Sequence, residues 1–174
     1  LKAIEEVGYV PNSLARSLVI QKTKTISLVI TDISNPFFTT LARGVEDTAI
    51  KNHFSVIFCN TDEDPEKEIL YLELLARKRV DGVILASASG KKAPLKSLFI
   101  KNIPIILIDR EIEELDDIDI VKGDNVYGAY ILTKHLINLG HSRIGIIVGN
   151  RNISTAKERV DGYKQALLES KILI

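Results

Sequence analysis

"ISLVITDISNPFFTTLARGVEDTAIKN", residues 26–52, is the stretch that decides the fold. Its opening, "ISLVIT", is nearly continuous in apolar residues and rich in Ile and Val, the composition of a strand covered on both faces. Asn35 then precedes Pro36, a capping side chain followed by proline at the first helical position, and the residues beyond repeat apolar positions at a helical period. A strand that hands over directly to a capped helix is the first half of a parallel β-α-β unit.

The same order recurs outward from it. "FSVIFCN" (54–60), "GVILAS" (82–87) and "IPIILID" (103–109) are further buried-strand runs, separated by the helical segments "PEKEILYLELLARKR" (65–79) and "KKAPLKSLFIKN" (91–102). Asp64 before Pro65 repeats the capped start. These spacings predict an α/β fold, with a parallel sheet, helices on both faces and right-handed crossovers. "IDIVKGD" (118–124) leads into a helix, "NVYGAYILTKHLINLGH" (125–141), which Asp124 can cap and Gly140 can end. "RIGIIVG" (143–149) reads as one more strand and "STAKERVDGYKQALLES" (154–170) as one more helix. A pattern that stops there leaves an open sheet edge and an uncovered apolar face, so a piece of a longer protein is expected.

The first twenty-five residues stand apart from this alternation. Leu1, Ile4 and Val7 share a helical face that Gly8 terminates, as at the tail of a helix. After Pro11 comes a short helical pattern with Leu14 and Leu18 one turn apart, then the linker "QKTKT". That pattern is shorter than the roughly 12–15 residues an isolated helix needs in water, so its order must come from something that packs against it.

Composition narrows the classes. With 45% hydrophobic and 26% charged residues, the 174-residue chain can bury an ordinary core. No apolar run approaches the roughly 20 residues of a membrane span and no signal-like opening is present, which predicts a cytoplasmic protein without a membrane partner. The 23 basic and 23 acidic residues cancel, although Lys2, Arg16, Lys22 and Lys24 outnumber Glu5 and Glu6 in the opening segment, a local bias toward phosphate. The lone Cys59 excludes a disulfide framework and a cysteine-based zinc site, and it reads as a small buried hydrophobe. His53, His135 and His141 lack acidic companions at ligand spacing, and no Gly-rich phosphate loop or paired nucleophile and base is visible. Neither an enzyme nor a metal or cofactor is therefore expected.

In order along nearly the whole chain, "AIEEVGYVPNSLARSL", "KTISLVITDISNPFFTTLARGVEDTA", "NTDEDPEKEILYLELL", "VDGVIL", "GDNVYGAYILTKHLINLGHSRIGIIVG" and "ERVDGYKQAL" closely resemble the lactose-repressor/galactose-repressor (LacI/GalR) family of bacterial transcription regulators. The resemblance implies a periplasmic-binding-protein-like fold, preceded by the end of a helix-turn-helix headpiece and a hinge helix. It divides the chain into the headpiece end (1–10), hinge helix and linker (11–25), an N-terminal effector-binding subdomain (26–122) and the start of a C-terminal one (123–174). A hinge helix of this kind forms on operator DNA, with Leu18 as the minor-groove wedge, Leu14 facing its twin in a homodimer, and Asn12, Ala15 and Arg16 completing the DNA-contacting pattern; a wedge unstacks a base step and bends the duplex onto more protein.

The resemblance also implies a small-molecule effector, a sugar or related metabolite, held between the two subdomains. It assigns Phe37, Phe38, Asp109 and Arg159 to that site. Open α/β sheets bind ligands beyond the carboxyl ends of their strands, where "SNPFF" and Asp109 fall. Phe37 and Phe38 can wall such a cleft, but neighbours on a helix point about 100° apart, so Phe37 is preferred. Arg159 offers a rigid fork of donors to paired hydroxyls or a carboxylate, with Asp161 or Glu158 as its alternative surface partners. A periplasmic-type sugar-binding protein without DNA binding has the same two-lobed fold and is the alternative.

Overall fold

The computed structural model describes residues 22–173 except 113 and 116. Among them, five strands form one parallel sheet in the order β2-β1-β3-β4-β5: β1 (Thr25–Ile30), β2 (Ser55–Asn60), β3 (Gly82–Leu85), β4 (Ile105–Ile108) and β5 (Ile120–Val121). The helices are α1 (Pro36–Lys51), α2 (Pro65–Lys78), α3 (Lys96–Ile100), α4 (Asn125–Asn138) and α5 (Ser154–Glu169). The segment expected as one helix over 91–102 is instead a 3-10 turn, Ala93–Leu95, running into the short α3.

Both proline-marked starts are capped as the sequence indicates. Asn35 accepts from the Phe37 amide at 3.0 Å and Asp64 from the Glu66 amide at 2.8 Å, each replacing one of the intrahelical partners that a first turn lacks. Asp124 caps α4 through the Tyr127 amide at 2.8 Å, and Gly140 follows that helix at φ +90°, a conformation that favours a residue without Cβ.

β1 sits between two neighbours and shows why its sequence is so apolar. Leu28, Val29 and Ile30 are all buried, and they alternate between two cores. Val29 packs with Leu72 and Leu75 of α2 and Leu98 of α3 on one face, while Leu28 and Ile30 pack with Phe38 of α1 on the other. Each such side chain is worth roughly 1.5–3 kcal/mol of transfer from water. Cys59 is buried in the first of these cores. β2 lies at the sheet edge, and its Phe58 is correspondingly exposed.

Beyond β5, α4 and α5 pack against each other so closely that a Cβ added at Gly162 would lie 2.0 Å from the Val126 carbonyl oxygen. The run at 143–149 is not a strand: no described strand pairs with it, and Ile147 is 102% exposed. An apolar β-branched run becomes a strand only when a neighbour takes up its backbone hydrogen bonds. Its tie to the helices is the Tyr163 hydroxyl, which donates to the Ile144 carbonyl at 2.7 Å.

Candidate functional site

The chain runs from β1 to β2 on one side and then to β3 on the other, so the sheet changes direction at β1/β3. A crevice opens at the carboxyl ends there. A cleft of about 550 Å3 occupies this end of the molecule, with Glu63, Ser87, Ser89 and Arg110 from the sheet unit facing Asn150, Asn152 and Ser154. The Glu111 amide crosses it, donating to the Ser154 hydroxyl at 3.0 Å. A second cavity of similar size opens between α4, α5 and residues 144–149, with Arg110, Asn125 and Arg159 in its wall.

Arg110 therefore borders both spaces, and its backbone explains how. At the end of β4 the Arg110 amide donates to the Ile108 carbonyl at 2.7 Å, closing a three-residue turn around Asp109, whose φ is +65°. Such a turn is strained for any residue with a Cβ, and strain of this kind gathers at functional sites. Arg110, only 9% exposed, donates from Nη1 and Nη2 to the two Glu63 carboxylate oxygens at 2.7 and 2.6 Å, and from Nη1 to the Ser87 carbonyl at 3.2 Å. Three of its five N–H donors are thus engaged. Nε is buried with no acceptor within bonding distance among the described residues, Asp109 Oδ2 lying 3.8 Å away.

The charges respond accordingly. Hydrogen bonding to Arg110 holds the Glu63 carboxyl below the usual glutamate range. Burial pushes the Asp109 carboxyl up, against the pull of Arg110 and Arg159. Lys122, just after β5, bridges Glu111 and Glu158, and both raise its pKa.

Glu68 underlies the floor of the cleft. It is 0% exposed, and its carboxylate accepts from the Ala88 amide at 2.5 Å, the Ser89 hydroxyl at 2.6 Å and the Ser87 hydroxyl at 3.2 Å. A buried carboxylate persists when donors replace its water, and here those donors are the loop that follows β3.

The residues singled out in the sequence fall differently. Asp109 stands beside Arg110 and within electrostatic reach of Arg159. Arg159 is exposed and pairs with neither Asp161 nor Glu158. Its Nε donates to Asn125 Oδ1 at 3.0 Å, while Glu158 accepts from Lys122 at 2.7 Å and Asn125 at 3.0 Å. Phe38 does not offer a face to the cleft: at 2% exposure it belongs to the core beneath α1. Phe37 is 49% exposed and stands edge-on to Phe38, ring centroids 5.1 Å apart, but it is not part of the lining of either cavity. Asn12, Leu14, Ala15, Arg16 and Leu18 lie outside the described residues.

Glu63, Arg110, Ser87 and Ser89, which line the cleft, and Glu68 beneath it were not singled out in the sequence. One signal was available for Glu68. It lies four, seven and eight positions before Leu72, Leu75 and Ala76, on the buried stripe of its own helix, where an unpaired charge is too costly.

Residues 23–172 match the family described as periplasmic binding proteins and sugar-binding domain of the LacI family. The chain is similar to the ribose operon repressor of Halalkalibacterium halodurans, 42% identical over 99% of this chain and 50% of that protein. Among solved structures, one of a ribose operon repressor from Burkholderia thailandensis aligns at TM-score 0.81 and 35% identity, covering 86% of this chain and 57% of that one. Another, a LacI-family regulator from Enterococcus faecium with bound ribose, aligns at TM-score 0.77 and 35% identity, covering 86% and 54%. The chain spans about half the length of the curated relatives it matches. On the sheet order, the cleft and the match across residues 23–172, the chain belongs to the family of periplasmic binding proteins and LacI-type sugar-binding domains.

Proposed function

We propose that this chain is part of a transcriptional repressor whose operator binding is controlled by a sugar, a pentose such as ribose, held between its two effector-binding subdomains. One observation carries the regulator reading over the solute-binding one. The sugar-binding family model begins at residue 23, whereas similarity to repressors runs on through the residues ahead of it, over 99% of the chain. A solute-binding protein of the same fold has no use for a hinge helix.

For the ligand, the support is chemical. With its Nε–H buried, Arg110 keeps one unused Nη2 N–H donor beside a cleft walled by hydroxyl and amide side chains, an arrangement suited to a neutral polyol. Asp109 accepts hydrogen bonds from sugar hydroxyls, Arg159 donates from α5, and Phe37 provides an apolar wall once the lobes approach. Phe38 serves as its backing. Binding energy that favours one relation of the lobes is the source of control over DNA. Operator contact falls to Asn12, Ala15, Arg16 and Leu18, and homodimer pairing to Leu14, in a cytoplasmic protein. Among the described residues no helix is long and apolar enough to cross a membrane.

Calorimetric titration of the complete protein with D-ribose, alone and with operator DNA, tests this. Arg110→Lys keeps the charge but loses the fork, and Arg159→Ala removes the donor from α5. Each is expected to weaken sugar binding about tenfold or more. Operator affinity should fall steeply with salt, as counterion release demands. Sugar binding unchanged in both variants would remove the assigned site, and absence of operator binding at low salt would favour a solute-binding protein.

A further inference from the structure

The effector cleft lies at the carboxyl end of β3, whereas the linker enters at the opposite, amino-terminal end of the sheet. At that opposite end sits a second carboxylate clasp. Asp81, in the turn between α2 and β3, accepts from the Thr23 amide at 2.8 Å and the Thr23 hydroxyl at 3.1 Å through Oδ1, and from the Lys24 amide at 3.0 Å through Oδ2. Its own amide donates to the Thr25 carbonyl at 2.7 Å, so the turn and the linker hold each other in both directions. Around them, the Thr23 hydroxyl also reaches the Arg79 carbonyl at 3.3 Å, the Lys24 carbonyl accepts from Ser55 at 2.9 Å, and the Lys24 ammonium lies 4.6 Å from the Phe54 ring centroid. Lys24 and Arg79 both occupy positive φ, at 53°, so the two backbones turn sharply where they meet.

Regular strand pairing does not require this clasp. β1 pairs with β2 from Thr25 and with β3 from Ile26, so residues 23 and 24 lie ahead of both ladders, and the Asp81 carboxylate takes up both of their amides. A carboxylate accepting two backbone amides and a hydroxyl makes charge-assisted bonds that fix direction as well as distance. β3 thus carries a carboxylate clasp at each end: Glu68 grips the loop after it, which lines the cleft, and Asp81 grips the linker before β1.

We infer that Asp81 is a positioning residue: by clasping Thr23 and Lys24 to the amino end of β3, it sets the orientation of the DNA-binding segment ahead of Lys22 relative to the effector-binding sheet. The inference rests on the regulator reading given above. Without the clasp, the segment ahead of Lys22 is held less firmly, and orienting it at the moment of DNA binding carries an added entropic cost.

The test uses the complete protein and three measurements on the wild type, Asp81→Ala and Asp81→Asn. Trypsin cleavage after Lys22 and Lys24 reads the open population of the linker. For Asp81→Ala it is expected to rise about tenfold, with cleavage elsewhere unchanged. The asparagine keeps an acceptor for Thr23 and should fall between. Affinity for an operator oligonucleotide selected with the wild type is expected to drop about tenfold in the alanine variant and to recover partly in the asparagine variant. D-Ribose affinity and melting temperature should stay near wild type, since a merely structural role would lower these together with operator affinity. Unchanged trypsin cleavage in Asp81→Ala overturns the clasp. Faster cleavage with undiminished operator affinity overturns its positioning role. A wild type that binds no operator overturns the regulator reading itself, a result distinct from both.

Discussion

The region up to β5 and the region after it are built from the same kind of sequence and reach different ends. In the first, apolar runs find neighbours on both sides, and Leu28, Val29, Leu85 and Leu107 are buried. In the second, "RIGIIVG" is equally apolar and branched, yet it forms no ladder, and Ile147 together with Leu132 of α4 and Leu168 of α5 faces outward. Helices satisfy their own backbones and so form from local sequence, whereas a strand needs a partner. What chiefly organises the second region among the described residues is the α4–α5 contact, tied to 143–149 by the Tyr163 hydroxyl.

The sharpest way to break that contact is at its closest approach. A methyl group at Gly162 meets the Val126 carbonyl oxygen at 2.0 Å and carbonyl carbon at 2.9 Å, backbone atoms that can move only by shifting α4 as a body. Gly162→Ala is expected to cost roughly 3 kcal/mol of α4–α5 stability. Amide hydrogen exchange should locate the loss in those two helices and leave β1 and β3 protected. Equal deprotection in the sheet would mean that the two regions unfold as one cooperative unit.

A matched pair of substitutions measures the difference between the regions directly. Val29→Thr puts a hydroxyl into a closed core and is expected to destabilise by about 2 kcal/mol. Ile147→Thr, in a run of the same composition, is expected to change stability by no more than about 0.5 kcal/mol, because its side chain is already in water. Urea denaturation of this chain reads both. A comparable loss at Ile147 would show that 143–149 takes part in a core.

The same contrast explains what was legible. The strand runs, both Asn/Asp–Pro starts, the Asp124 cap and the Gly140 stop are local signals, and each appears where the residues put it. "RIGIIVG" was misread because its outcome depends on a partner that no local pattern encodes. The site behaved similarly. Asp109 and Arg159 were singled out through family resemblance rather than through any local pattern. Phe38 was not separable from Phe37 until the packing of α1 fixed which ring faces inward. Glu63 and Arg110 lie far apart in sequence and meet only because the parallel strands β2 and β4 finish at the same carboxyl end of the sheet. Glu68 alone left a trace, a charge on a buried stripe, readable once helical periodicity is taken literally for polar residues as well as apolar ones.

The smallest effect separates the regions by acid. Hydrogen bonding to Arg110 lowers the Glu63 pKa from its ordinary 4.5, so the pair contributes stability above that value and loses it as pH falls through the lowered one. Asp109 has the opposite sign. Burial raises its pKa from 3.8, so ionising it weakens the fold as pH rises from that value through the raised one. The two slopes partly cancel in the wild type, and Glu63 is exposed enough for water to screen part of its share. Glu63→Gln unmasks them. It should lower the melting temperature of the sheet region at neutral pH and flatten its fall below pH 4.5, leaving α4 and α5 unaffected. A variant whose melting curve tracks the wild type across that range would mean that the Glu63–Arg110 pair only orders the cleft and does not help hold the sheet region together.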